Sequence, residues 1–233
     1  MNENEFNELI HSQLLECAGE ADLRQENGST RKTVSWNDIL KHEPGKGFRD
    51  CSSSDGQVSI HAILCSNGLR TAIWALRVFK GSYIREWMLF KADVAELVLD
   101  VFEKEYPEAY ELRNAIDAIR MYTAGTIPVE GFIKAQKDAY VCFSRTKDAA
   151  NDARRTMEKE LRSFSIFVDD DLDKKMMPYA SALWVAWAAS AVYHATDVTE
   201  TAETVYYDAL KANHAVKNLD ERVTALLLKY FGE

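Results

Sequence analysis

Residues 69–81 read LRTAIWALRVFKG, and residues 112–125 read LRNAIDAIRMYTAG. Both fit L-R-x-A-I-x-A-[LI]-R-x-[FY] followed by glycine. Leu69, Ile73 and Leu76, like Leu112, Ile116 and Ile119, recur at i, i+4 and i+7, the period of one helix face and not of a strand. A helix that occurs twice with its glycine stop sets the fold class: an all-α helical bundle. Two such copies also occur in stacked helical-pair repeats of the HEAT type. No third copy is found, so the reading is two related helices within one packed α-domain. In each copy the arginines, Arg70 with Arg77 and Arg113 with Arg120, share one helical edge. They are expected to form salt bridges to an adjacent acidic helix; phosphate or carboxylate binding is the alternative use of such a pair.

Outward from the duplication the pattern stays helical. Ser59 can cap a short helix that stops at Asn67-Gly68, and Leu69 to Phe79 follows. Further helices are expected over Ser82–Tyr106, over Glu108–Ala124, and from Pro128 towards Phe164. The last of these carries a stripe of small residues, Ala135, Ala139, Cys142, Ala149 and Ala153. Beyond an acidic connector, helices are expected over Pro178–Thr196, from Thr199 to about Val216, and over Leu219–Phe231. The Pro178–Thr196 segment, with Leu183, Trp184, Trp187, Ala191 and Val192, has little polar surface and reads as central to the core. Upstream, a helix is expected over Glu5–Glu20. Arg24 to Gly56 reads as a long, partly irregular loop carrying one short helix capped by Ser35. The division expected is 1–57, N-terminal helix and polar loop, and 58–233, one helical domain.

Composition bounds the function. With 47% hydrophobic and 28% charged residues the chain is globular, and four prolines with ten glycines are too few for a turn-rich β fold. A formal charge of −9 argues against direct nucleic-acid binding, which needs a Lys/Arg surplus on one face. Cys17, Cys51, Cys65 and Cys142 form no CxxC pair, which suits free thiols in a reducing compartment. The polar, acidic start MNENEFNELIHSQ is not expected to act as a leader peptide, and Tyr179–Ala195 is short and carries Ser181, Ser190 and His194, so no membrane span is expected. The expected location is cytoplasmic.

His61 and Cys65 stand at i, i+4, yet no second His/Cys pair completes a tetrahedral metal site. A calcium loop beginning in the run Asp169-Asp170-Asp171-Leu172-Asp173 would require glycine at Lys174 and glutamate at Ala180. GxSxG, GxxxxGK[ST] and GxGxxG are all absent. No catalytic residue, metal ligand or cofactor is therefore assigned. A helical metal- or nucleotide-dependent hydrolase stays open as the alternative, through convergence of His194 or His214 with a carboxylate.

The strongest surface feature is an acidic strip. Asp93, Glu96, Asp100 and Glu103 follow i, i+3, i+7, i+10, with Glu105, Glu108 and Glu111 extending the charge. Lys134, Lys137, Arg145, Lys147, Arg154, Arg155, Lys159 and Arg162 make the next long helix basic. Two solvated faces, partly complementary to each other, are one reading. The other makes Asp93, Glu96, Asp100 and Glu103 a partner-binding strip for a basic surface.

The stretch from Leu69 to about Ala150 resembles a family of helical proteins of phages and bacteria labelled immunity proteins. The pattern is LRTAIWALR…REWMLFKADVAELVLDVFE, then LRNAIDAIRMYTAGTI, then KAQKDAY…DAANDARR. The long alanine repeats of that family's tail are thin here and end near Ala153. The resemblance implies a non-enzymatic protein that binds and inhibits a bacterial host protein, such as a defence-system component, in the host cytoplasm. A homo-oligomer built through the Trp184/Trp187 helix is a further alternative.

Overall fold

The computed structural model describes residues 32–163, 172–212 and 217–232. The helix expected over Glu5–Glu20, the acidic run at Asp169–Asp171, and His214 lie outside the described residues. Among the described residues nine helices and one two-stranded ribbon occur. They are β1 (Thr33–Ser35), α1 (Trp36–Lys41), β2 (Gln57–Ser59), α2 (Ile60–Asn67), α3 (Leu69–Phe79), α4 (Ile84–Glu105), α5 (Glu111–Thr123), α6 (Val129–Ser163), α7 (Leu172–Thr196), α8 (Ala202–Ala212) and α9 (Leu219–Phe231).

Local chemistry sets many of these limits. Ser35 Oγ accepts from Asn37 N at 3.2 Å and Ser59 Oγ from Ala62 N at 3.1 Å, so each hydroxyl satisfies one orphan donor at a helix start. Between α2 and α3 the chain passes through Gly68 at φ 82°, a left-handed conformation that costs a side-chain-bearing residue energy. The ribbon was not anticipated. Its strands are antiparallel, with Val34 opposite Val58, and both of those side chains are buried. It brings the 33–59 segment against the helices, and Ile39 of α1 is fully buried in the same core.

The bundle is organised around α7, which packs against α4, α5, α6 and α8. Contact with four helices requires burial on nearly all sides. Accordingly Val185, Ala186, Ala188, Ala189, Ala191, Val192 and Ala195 are all buried. Their small size lets the neighbouring axes come close. α7 also starts earlier than expected, because the helix continues through Pro178. On α6 the small-residue stripe divides: Ala139 and Cys142 are buried, whereas Ala149 is exposed. The duplicated helices α3 and α5 are two members of this packed body. α9 covers α2, α3 and α4, and Phe231 meets Phe79 and Phe90 edge-on at 6.2 and 6.3 Å. No helix among the described residues is long and apolar enough to cross a membrane.

Candidate functional site

α4 and α5 run antiparallel across the turn at Pro107, and this places the arginine edge of α5 against the acidic strip of α4. Arg113 grips Glu103 through two nitrogens, Nε at 2.6 Å and Nη2 at 2.7 Å. Such a fork-to-fork pair fixes orientation as well as charge. Arg120 Nη1 donates to Glu96 at 3.2 Å and Nη2 to Asp93 at 2.8 Å. Asp93 is only 9% exposed, and its other oxygen accepts from Lys229 Nζ at 2.8 Å and from the Tyr230 hydroxyl at 2.6 Å, both on α9. Burial pushes the Asp93 carboxyl up. The hydrogen bonds from Arg120, Lys229 and Tyr230 outweigh that and hold it below its ordinary 3.8. Hydrogen bonds to Glu96 and then to Asp93 raise Arg120 above its usual value, and the bond to Asp93 raises Lys229.

The four strip residues thus have different surroundings. Asp93 is a buried junction of α4, α5 and α9. Glu96 and Glu103 are half-buried in ion pairs with α5. Asp100 alone of the four is exposed, with no ion pair to another described residue. The expected salt bridges from the arginine edge to an adjacent acidic helix are present for α5. In α3 the partner differs: Arg77 pairs with Glu203 of α8 at 2.6 Å and stacks over Trp74 at 5.1 Å.

Beyond the arginine edge, α5 and α6 turn a second surface outward. The Glu111–Arg145 ion pair at 3.7 Å and the Tyr122–Phe132 stack at 5.0 Å fix the register of this hairpin. Tyr110 at the entry to α5, Met121 of α5 and Val141 of α6 are exposed to 60%, 42% and 62%. Side chains of this size held out from rigid helices are a common mark of a macromolecular contact surface.

No protein-family model, curated protein or solved structure matches the chain.

The histidines were the other candidate. His194 of α7 does meet a carboxylate: its Nδ1 lies 2.7 Å from Asp208 Oδ2 on α8, and the same oxygen accepts from the Ser190 hydroxyl at 2.8 Å. A serine is activated when its proton goes to an imidazole nitrogen. Here the carboxylate is the hub: the Ser190 hydroxyl lies 2.8 Å from Asp208 Oδ2 and 3.4 Å from His194 Nδ1, the same nitrogen that faces Asp208. The cluster is flanked by Tyr193, which stacks on Phe143 at 5.5 Å and whose phenol is pushed up to about 12, chiefly by burial. Asp208→Ala would leave the buried Ser190 hydroxyl and the partly buried His194 ring without their acceptor, a cost of about 2 kcal/mol. Urea unfolding is expected to show that loss.

Two lysines had no sequence signal pointing to them. Lys91 is fully buried, donates from Nζ to the carbonyls of Asp197 at 2.6 Å and Glu200 at 2.8 Å, and sits 4.1 Å over the Trp87 ring. Lys80 donates to Val198 O at 2.5 Å and lies 4.9 Å from the same indole. Two ammonium groups therefore satisfy three carbonyls of the turn between α7 and α8, with Trp87 between them. His61 and Cys65 remain an exposed pair on α2 at 3.5 Å. Among the described residues no three His, Cys, Asp or Glu side chains are grouped to hold a metal ion.

Proposed function

We propose that this protein is a non-enzymatic binding protein, encoded by a phage or other mobile element, that engages and inhibits a bacterial protein, with a defence-system component as the target class. The observation that carries the reading is the outward face of the α4–α5–α6 segment. Met121 of α5 and Val141 of α6, with Tyr110 at the entry to α5, are exposed on a segment whose helices are joined by ion pairs. Aromatic, Met and aliphatic anchors within a charged rim are the composition from which protein interfaces draw their energy. Asp100, with the half-exposed Glu96 and Glu103, gives that rim its negative sign and favours a basic partner surface. The resemblance of the Leu69–Ala150 stretch to immunity proteins supports the same class.

The test is affinity capture from bacterial lysate with the wild type, with Asp100→Lys and with Val141→Asp. Both side chains are exposed, so each variant should keep its stability within about 0.5 kcal/mol. Each is expected to weaken recovery of the captured protein on the order of tenfold, the usual scale of a single interface anchor. Undiminished capture by both variants removes this face from the mechanism. A stable dimer of the free protein that Val141→Asp dissolves would instead assign the face to self-association.

A further inference from the structure

The segment between α1 and β2 builds a cleft that the binding face does not use. Gly45 O accepts from Phe48 N at 3.1 Å, and Gly47 takes φ 97°, the positive value that the third residue of a type II turn requires. This turn sets Lys46 at its outer corner. Arg49 is held next to it by a two-point clamp: its backbone N donates to Asn67 Oδ1 at 2.6 Å, and Asn67 Nδ2 donates back to Arg49 O at 3.1 Å. Phe48 is stacked on Trp36 at 5.4 Å and lies edge-on to Trp74 at 5.9 Å, which fastens the turn to α1 and α3. The loop is thus prebuilt against the bundle.

Between this loop and the α2–α3 junction lies a cavity of about 350 Å3, lined by Lys46, Gly47, Arg49, Ser66, Asn67 and Thr71 among others. Among the described residues, every polar side chain on its wall is neutral or cationic, and no carboxylate lines it. Neither Lys46 nor Arg49 forms an ion pair with another described residue, although the protein carries a net charge of −9. The nearest acidic neighbour in sequence, Asp50, is engaged with Ser52, which donates to it from both N and Oγ. Thr71, in the first turn of α3, lines the same cavity. The wall thus carries two cations without an ion pair among the described residues and two hydroxyl groups. That is a complete set of donors and no acceptor of charge.

We propose that this cleft binds the phosphate groups of a small phosphorylated ligand, with Arg49 and Lys46 as the charge partners and Ser66 and Thr71 as hydroxyl donors. The site is separate from the α4–α6 face, so it stands or falls without the protein-binding reading. Inorganic pyrophosphate is the first probe, titrated calorimetrically into the full chain at low ionic strength. ADP and citrate serve as parallel arms. Binding of pyrophosphate and ADP with citrate weak or absent is expected. An ADP affinity equal to that of pyrophosphate marks a pure phosphate reader, and a tighter one marks a nucleotide ligand. Arg49→Gln and Lys46→Gln should each weaken pyrophosphate on the order of tenfold, because each removes one charge-assisted contact. Both side chains are exposed, so folding should be unaffected; circular dichroism checks this. No heat with pyrophosphate, citrate binding as tight as pyrophosphate, or unchanged affinity in both variants would overturn the proposal.

Discussion

Replacing Lys91 by alanine is expected to destabilise the protein by about 4 kcal/mol, lowering the thermal midpoint by roughly 10 °C for a chain of this size. The reasoning begins with burial. Lys91 has no solvent-exposed surface, so its ammonium group cannot be replaced by water when it is removed. The carbonyls of Asp197 and Glu200 would each lose a charged donor, and Trp87 would lose the cation over its face. Each charged hydrogen bond of this kind is worth about 1.5–3 kcal/mol, and truncation adds a cavity term. Lys91→Met separates the two contributions. It keeps the stem and its packing while deleting the ammonium, and about half of the loss should remain. If Lys91→Met were as stable as wild type, the two carbonyl contacts would contribute nothing net.

The second large effect is expected at Asp93. Asp93→Lys would set a third cation against Arg120 and Lys229 in a site that is almost closed to water, and the variant should fail to fold or lose at least about 4 kcal/mol. Asp93→Asn is the milder probe. It keeps the volume but removes the charge that Arg120, Lys229 and Tyr230 converge on, and about 2 kcal/mol should be lost at pH 7. The pH dependence follows from the sign of the shift. The folded carboxyl titrates below the unfolded value of 3.8, so its contribution is fully present above 3.8 and disappears as pH falls through the lower folded value. The gap between wild type and Asp93→Asn in urea unfolding should therefore be constant from pH 7 to about pH 5 and close in stronger acid. A gap that persists unchanged below that range would place the stabilisation elsewhere than in the carboxylate.

This second result also bears on the partner-binding strip. Reversing all four acidic positions at once would confound binding with unfolding, because Asp93 is a structural junction whereas Asp100 is exposed. Asp100 is the position that isolates the surface contribution.

Most helix limits were readable because their signals are local. The apolar period of Leu69–Phe79 and Leu219–Phe231, the caps at Ser35 and Ser59 and the glycine at 68 each act within one turn of chain. The ribbon was not readable. Strands of three residues are too short to show alternation, and the ladder pairs Thr33 with a residue well along the chain, at Ser59. α7 was expected to begin at Pro178, since proline favours a first turn; the structure carries the helix through it, from Leu172.

The candidate site divides along the same line. That Arg113 and Arg120 meet α4 follows from two neighbouring helices of opposite charge. That Arg77 turns instead to Glu203, and that Asp93 is claimed by Lys229 and Tyr230, depends on which distant helices pack together. Helical periodicity holds no record of that choice. The Lys46–Arg49 cleft depends likewise on a loop meeting the α2–α3 junction through Asn67, a contact between segments that carry no shared motif.

The grip on α9 has a consequence for how the chain is made. Lys229 and Tyr230 reach Asp93 across sequence separations of 136 and 137 residues, and Lys32 donates to Tyr230 O across 198. A ribosome delivers those partners well after Asp93 itself. Until α9 has emerged, Asp93 keeps only the bonds that α5 supplies, and Phe79 and Phe90 lack the ring of Phe231. The nascent bundle is then an open-sided intermediate with apolar surface uncovered, the kind of species that chaperones hold and proteases test. Synthesis of α9 is the event that closes it.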